Sequence, residues 1–232
     1  MTGMLASVNS IEEALEVLAA QVDIIDLKQP AHGALGALDT EVVQQIVEAI
    51  GHRCLVSATI GDLPMQPELV YFATQIMAQT GVDYIKIGFF PDGDWPTMIN
   101  KLSALTPQHN LIAVLFADAS PDLSLIKLFK RAGFKGVMLD TMTKNRGSLT
   151  KAMDVMELRQ FIRLAKRNKL LCGLAGSLRL TDIPGLMILK PDYLGFRGAL
   201  CVGNKRTAQL NGEAITLIKQ AINPVKPASL KV

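Results

Sequence analysis

The sequence predicts a single-domain (β/α)8 barrel. Three observations carry this. Short β-rich apolar runs alternate regularly with amphipathic stretches along 232 residues, a length that suits one α/β domain. The runs number eight, the count that closes a barrel. The rival, a doubly wound open sheet, usually carries G-x-G-x-x-G after its first strand, and no such motif follows here.

In chain order the strand candidates are 4–8, 23–28, 54–60, 83–88, 111–118, 136–141, 170–177 and 192–199. Each is rich in Val, Ile, Leu and Met and ends near Gly, Asp or Pro, as a strand buried on both faces should. Helical periodicity covers 10–20, with Asn9 or Ser10 as cap, and 38–50, with Asp39 or Thr40 as cap. Further helices are expected near 67–79, 94–104, 121–132, 154–168 and 211–221. Around T-D-I-P-G-L there is room only for a short one. Residues 222–232 read as a C-terminal tail.

Composition narrows the function classes. A net charge of +3 and 5% aromatic residues supply neither the field nor the stacking platforms of a nucleic-acid groove. No run approaches a membrane span, and the first residues lack the basic segment of a signal peptide. Cys54, Cys172 and Cys201 are odd in number and lie on or beside apolar runs, which suits reduced thiols in the cytoplasm. His32, His52 and His109 are scattered and none has metal-ligand spacing with another His or Cys, so no metal is expected. Apolar helix faces fit packing within the barrel or between subunits, which leaves a homo-oligomer open.

Chemistry on a barrel sits at the C-terminal ends of its strands, and alternate residues point inward. On the second strand Asp26 and Lys28 share a face and read as an ion pair at the barrel mouth. On the fourth, Lys86 shares a face with Tyr84. The fifth ends in Asp118, the sixth in Asp140 with Lys144 four residues on, and the eighth carries Arg197. Any one of these reads equally well as a satisfied buried ion pair. Their recurrence at one end of five strands favours a site. A lysine beside other cations, or buried, becomes a nucleophile toward carbonyls. Lys28, Lys86 and Lys144 facing one space would keep at least one amine neutral, with Asp26, Asp118 and Asp140 balancing charge. Gly176 and Ser177 after the seventh strand, with Arg197 and Gly198 after the eighth, are candidates for a phosphate. Together these suggest a phosphorylated carbonyl substrate. H-G-A-L-G-A (32–37) reads as a tight loop, with His32 near enough to Lys28 to support it. K-R-N-K (166–169) reads as a helix C-terminus.

D-I-I-D-L-K-Q-P-A-H-G-A-L-G-A, V-S-A-T-I-G-D, D-Y-I-K-I-G, F-A-D-A, M-L-D-T-M-T-K, L-A-G-S and G-F-R-G-A follow one another over about residues 4 to 220. In this order they resemble the (5-formylfuran-3-yl)methyl phosphate synthase family of methanofuran biosynthesis, a one-carbon pathway. The resemblance implies a cytoplasmic (β/α)8 carbon–oxygen lyase without metal or cofactor. It implies that two molecules of glyceraldehyde 3-phosphate condense through a lysine Schiff base to 4-(hydroxymethyl)-2-furancarboxaldehyde phosphate, with loss of phosphate and water. Lys28 matches the Schiff-base lysine, Lys86 the proton acceptor, and Asp26, Asp140 and Lys144 further active-site positions. Phe116 stands where the family often has Tyr, which removes a hydroxyl donor. The stretch after Cys201 also departs from the Gly-rich, acidic form of archaeal members. Three other readings stay open beside it. One is another Schiff-base aldolase on the same barrel. A second is a D-x-K-x-x-D decarboxylase, disfavoured because position 31 is Ala. The third is a barrel that only binds a phosphorylated metabolite or a partner protein.

Overall fold

The computed structural model describes residues 2–91, 93–144 and 146–223. Eight parallel strands close into a barrel in sequence order: β1 Gly3–Val8, β2 Ile24–Leu27, β3 Leu55–Thr59, β4 Tyr84–Phe89, β5 Asn110–Phe116, β6 Gly136–Asp140, β7 Leu171–Leu174 and β8 Tyr193–Phe196. Closure is made by β1 on β8, in register from Gly3 with Tyr193 to Ala6 with Phe196.

The helices are α1 Ile11–Ala19, α2 Thr40–Ile50, α3 Pro67–Ala78, α4 Trp95–Leu102, α5 Ile126–Arg131, α6 Leu149–Ala152, α7 Val155–Arg167, α8 Ile183–Ile188 and α9 Gly212–Ile222. Ser10 caps α1 by accepting from the Glu13 N–H, while Asp39 precedes α2 without a side-chain cap bond. Asp154 and Glu157 form a reciprocal capping box on α7. α5 is shorter than the periodicity of 121–132 suggests. The Asp122 carboxylate takes the Ser124 N–H and turns Leu123–Leu125 into a 3-10 helix first. The expected tail at 222–232 begins inside α9, and its residues 224–232 lie outside the described ones. Among the described residues no helix is long and apolar enough to cross a membrane.

Strand alternation splits the apolar residues into two clusters. One lies between sheet and helices, where Ile25, Leu27, Ile85, Ile87, Leu115, Leu139 and Leu194 meet the helical faces. The other fills the barrel interior: Leu5, Ile112, Val114, Phe116, Met138 and Tyr193. Ala34 and Leu35, from the loop after β2, also belong to the interior. The Asp62 carboxylate accepts both of their N–H groups at 2.7 Å. This inserts Leu35 beside Gly88 of β4, where an added Cβ would lie 2.9 Å from Leu35 Cδ1. The 32–37 loop is therefore a plug over one side of the mouth. His32 itself is exposed.

Candidate active site

The side of the mouth left open is a cleft of about 670 Å³. Its polar lining includes Ser7, Asp26, Lys28, Lys86, Asp140 and Lys144, with Gly176, Ser177, Arg179, Arg197, Gly198 and Arg206 toward β7 and β8. Six cations thus face two carboxylates, an imbalance that suits an anionic ligand.

Two buried ion pairs flank Lys28. Asp26, fully buried, is bound by Lys86 Nζ at 2.7 Å, by Ser57 Oγ at 2.7 Å and by Ser7 Oγ at 2.8 Å. The expected pairing of Asp26 with Lys28 does not occur. Lys28 follows the end of β2, one layer above Asp26, whereas Lys86 reaches Asp26 from β4. Burial alone would raise the Asp26 pKa. The charges of Lys86 and Lys28 and the hydrogen bonds from Lys86 and Ser57 outweigh it and hold the carboxylate below its usual range. On the other side Lys144 Nζ lies 2.5 Å from Asp140 Oδ1, which also accepts the Thr141 N–H at 2.7 Å. Burial of Asp140 is likewise outweighed, by Lys144 first and then Lys28, so its pKa is also lowered.

Between the pairs sits Lys28, 7% exposed. Among the described residues its ammonium has no ion-pair or hydrogen-bond partner within reach. Burial pushes its pKa down from 10.5 to about 8. Asp140 pulls it up, Lys144 and Lys86 push it down further, and Asp26 pulls it up. Burial, not the repulsion between cations that the sequence suggested, is the larger cause of the lowered Lys28 pKa, and a value of about 8 leaves the amine mostly protonated at pH 7 rather than neutral there as expected.

Two sequence candidates are placed differently. Asp118 does not line the cleft. β5 ends at Phe116, and Ala117–Ala119 form a 3-10 turn that carries Asp118 out of the strand alternation. Its two oxygens accept the N–H groups of Met142 and Thr143, each at 2.7 Å. It therefore holds the loop that presents Lys144. Arg197 lines the cleft, but its guanidinium is already saturated. It binds Glu13 through Nη1 at 2.5 Å and Nη2 at 3.1 Å, and the carbonyls of Ser7, Arg206 and Ala208 take the remaining N–H groups. An arginine with its donors spent and its charge cancelled is a poor phosphate ligand.

Gly176, Ser177 and Gly198 keep their places on the cleft wall. Gly176 has φ +108°, and a Cβ there would fall 2.9 Å from Thr141 Cγ2, so only glycine fits. Ser177 is left-handed at φ 49°. Neither of their N–H groups finds a backbone acceptor among the described residues, which leaves them free for an anion. Sequence reasoning missed Ser7, Ser57, Arg179 and Arg206. The two serines follow from the same inward alternation that selected Asp26. The arginines lie in irregular loops, where no periodicity marks them.

Residues 4–219 match the family described as 4-HFC-P synthase. The chain belongs to the 4-HFC-P synthase family. A protein of Methylorubrum extorquens is 40% identical over 219 residues, covering 94% of this chain and 91% of that one. The (5-formylfuran-3-yl)methyl phosphate synthase of Methanothermobacter thermautotrophicus is 32% identical over 232 residues, covering 95% and 98%. Among solved structures, the fold resembles 3-hexulose-6-phosphate synthase of Salmonella typhimurium, with TM-score 0.69 at 17% identity over 95% of this chain and 98% of that one. Phosphoribosyl anthranilate isomerase of Thermus thermophilus gives 0.67 at 14% over 96% and 98%. Both are likenesses of fold. The 4-HFC-P synthase relatives are the ones that bear on chemistry.

Proposed function

We propose that the protein is a cytoplasmic (5-formylfuran-3-yl)methyl phosphate synthase that joins two molecules of glyceraldehyde 3-phosphate through an imine on Lys28. One triose phosphate loses its α-proton and becomes the ketose isomer. The Lys28 amine adds to that carbonyl and expels water, giving the imine. The Lys86 ammonium protonates the departing hydroxyl as the imine forms, and the amine so freed removes the adjacent proton to give an enamine, whose carbon attacks the aldehyde of the second triose. Release of one phosphate, ring closure and dehydration return the Lys28 amine. The balance is two triose phosphates to one furan aldehyde phosphate, one phosphate and two waters.

The single observation that carries this reading is the unpaired Lys28, with a pKa of about 8, between two occupied ion pairs. A protonated imine is a sufficient electron sink for enamine formation. The Asp26 carboxylate lies 2.7 Å from Lys86 Nζ, so the ammonium formed when Lys86 takes the proton has its counter-ion in place. Lys144 and Asp140 move protons in the dehydrations, a role supported by their ion pair on the cleft wall.

Borohydride added with glyceraldehyde 3-phosphate should fix a triose phosphate mass on the peptide containing Lys28, and Lys28→Arg should abolish it. Lys86→Arg should retain the adduct and lose the furan product. Substrate turnover without any trapped adduct would replace the imine by acid–base chemistry. A different condensation product would favour a sibling aldolase.

A further inference from the structure

The reaction class proposed above brings two phosphates into one cleft, yet Arg197 is closed to both by Glu13. Two other guanidiniums face the cleft, Arg179 and Arg206, and neither forms an ion pair among the described residues. They reach it in different ways. A Cβ built on Gly198 would lie 3.9 Å from Arg179 Nη1 and 3.9 Å from Arg206 Cβ. Arg179 therefore brings its charge to Gly198 and the β7 and β8 side. Arg206 only passes Gly198 with its stem and sends its guanidinium across to the loop after β2. There Nη2 donates to the carbonyls of Pro30 and Gly33.

Arg206 is not spent as Arg197 is. Its partners are neutral carbonyls, and only Nη2 is engaged, so Nη1 and Nε stay available. Burial lowers its pKa, and the nearest carboxylates, Asp140 and Asp62, only partly oppose that. A half-buried cation that lacks a counter-ion gains most from an incoming dianion.

We propose that the cleft holds two separate phosphate subsites. The first is formed by the Gly176 and Ser177 N–H groups, Gly198 and Arg179. The second centres on Arg206 and takes the phosphate of the triose that adds to the Lys28 enamine. Because Arg206 is anchored to Pro30 and Gly33, two and five residues past Lys28, this places the second phosphate against the nucleophile's own loop. The assignment of the incoming triose rests on the proposed condensation. The existence of two anion subsites does not.

The test is titration of inorganic phosphate into the whole protein, followed by ³¹P NMR and calorimetry. Two sites are expected in the native sequence and one in each of Arg206→Met and Arg179→Met. The site lost in one variant should be the site kept in the other. Product formation in Arg206→Met should fall roughly tenfold or more beyond any fall in borohydride trapping on Lys28, the size of one charge-assisted contact. A single phosphate site in the native protein, or two sites undiminished in Arg206→Met, overturns the proposal. So does an equal fall in trapping and product formation, which would make Arg206 only a tie for the loop. Two sites with no adduct on Lys28 would leave the subsites standing and remove the imine reading alone.

Discussion

Lys86 Nζ and Asp26 Oδ1 meet at 2.7 Å in the barrel interior, with 1% and 0% of the two side chains exposed. A pair that dry contributes little net stability, because the cost of stripping water from both ions offsets their attraction. Breaking it is another matter. Asp26→Asn leaves the Lys86 ammonium buried with no counter-ion and should cost about 3–5 kcal/mol. Lys86→Met also strands a charge, but Ser7 and Ser57 still donate to the Asp26 carboxylate, so its loss should be smaller. Urea unfolding of the two variants at neutral pH checks the order.

Lys28 should be a residue that the fold tolerates at a cost. Its pKa is about 8 in the folded chain against 10.5 for the free side chain. Between those values the unfolded chain holds a proton that the folded chain has released. Stability should therefore rise with pH across that window, and the penalty should be complete below about 8. Lys28→Met should stabilise the protein at pH 7 by on the order of 3 kcal/mol while abolishing the chemistry. The gain should shrink as pH rises above 8. Thermal unfolding of both proteins from pH 7 to 10 tests this, and a variant less stable than the parent at pH 7 would contradict it.

What the sequence made legible followed from periodicity. Period-two alternation along Ile24–Leu27 and Tyr84–Phe89 put Asp26 and Lys86 inside, and the structure finds both there. Alternation fails where a strand stops early. Asp118 lies two residues past the end of β5, so its inward phase had already been lost in the 3-10 turn. Arg197 lies one residue past β8 with φ −135° and ψ −70°, which swings it toward Glu13. The pairing of charges was also illegible. Asp26 and Lys28 are neighbours in sequence, but its partner Lys86 is 60 residues on, brought near only by the closed sheet. Arg206 becomes meaningful only once the loop after β2 is seen beside it.

Asp118 should affect the reaction through Lys144 without touching substrate. Its oxygens hold the Met142 and Thr143 N–H groups, and these bonds outweigh its partial burial and lower its pKa. Asp118→Ala should cost about 1–3 kcal/mol of stability by leaving the two amides without their acceptor. Activity should fall while trapping on Lys28 persists. Because the folded pKa is depressed, this contribution is present above the ordinary carboxyl value of 3.8 and is lost as pH falls through the lower folded value. Parallel unfolding curves at pH 7 and in acid, with and without the substitution, should converge at low pH.

Arg197 and Glu13 tie α1 to the end of β8, with 5% and 15% of their side chains exposed. Glu13→Gln should destabilise by about 2–4 kcal/mol, since it leaves the guanidinium largely buried without its counter-ion. Arg197→Met should leave the number of bound inorganic phosphates unchanged. Loss of a phosphate site in Arg197→Met at a temperature where the protein remains folded would return Arg197 to the ligand set.

The charges around Lys28 should move its titration in opposite directions. Asp140 pulls the Lys28 pKa up, and Lys144 pushes it down. Asp140→Asn removes the upward pull, so the pH midpoint for imine formation should fall below about 8. Lys144→Met removes a repelling cation, so the midpoint should rise above about 8. The initial rate of borohydride trapping with glyceraldehyde 3-phosphate, measured from pH 6 to 10, reads both shifts. The direction matters more than the size, because each substitution also frees the partner of a broken pair. Lys144 without Asp140 would itself repel Lys28 more freely and deepen the downward shift. Asp140 without Lys144 would attract Lys28 more strongly and deepen the upward one. Midpoints that stay at the parent value in both variants would mean that burial alone sets the reactivity of Lys28 and that the Asp140–Lys144 pair serves only later proton transfers.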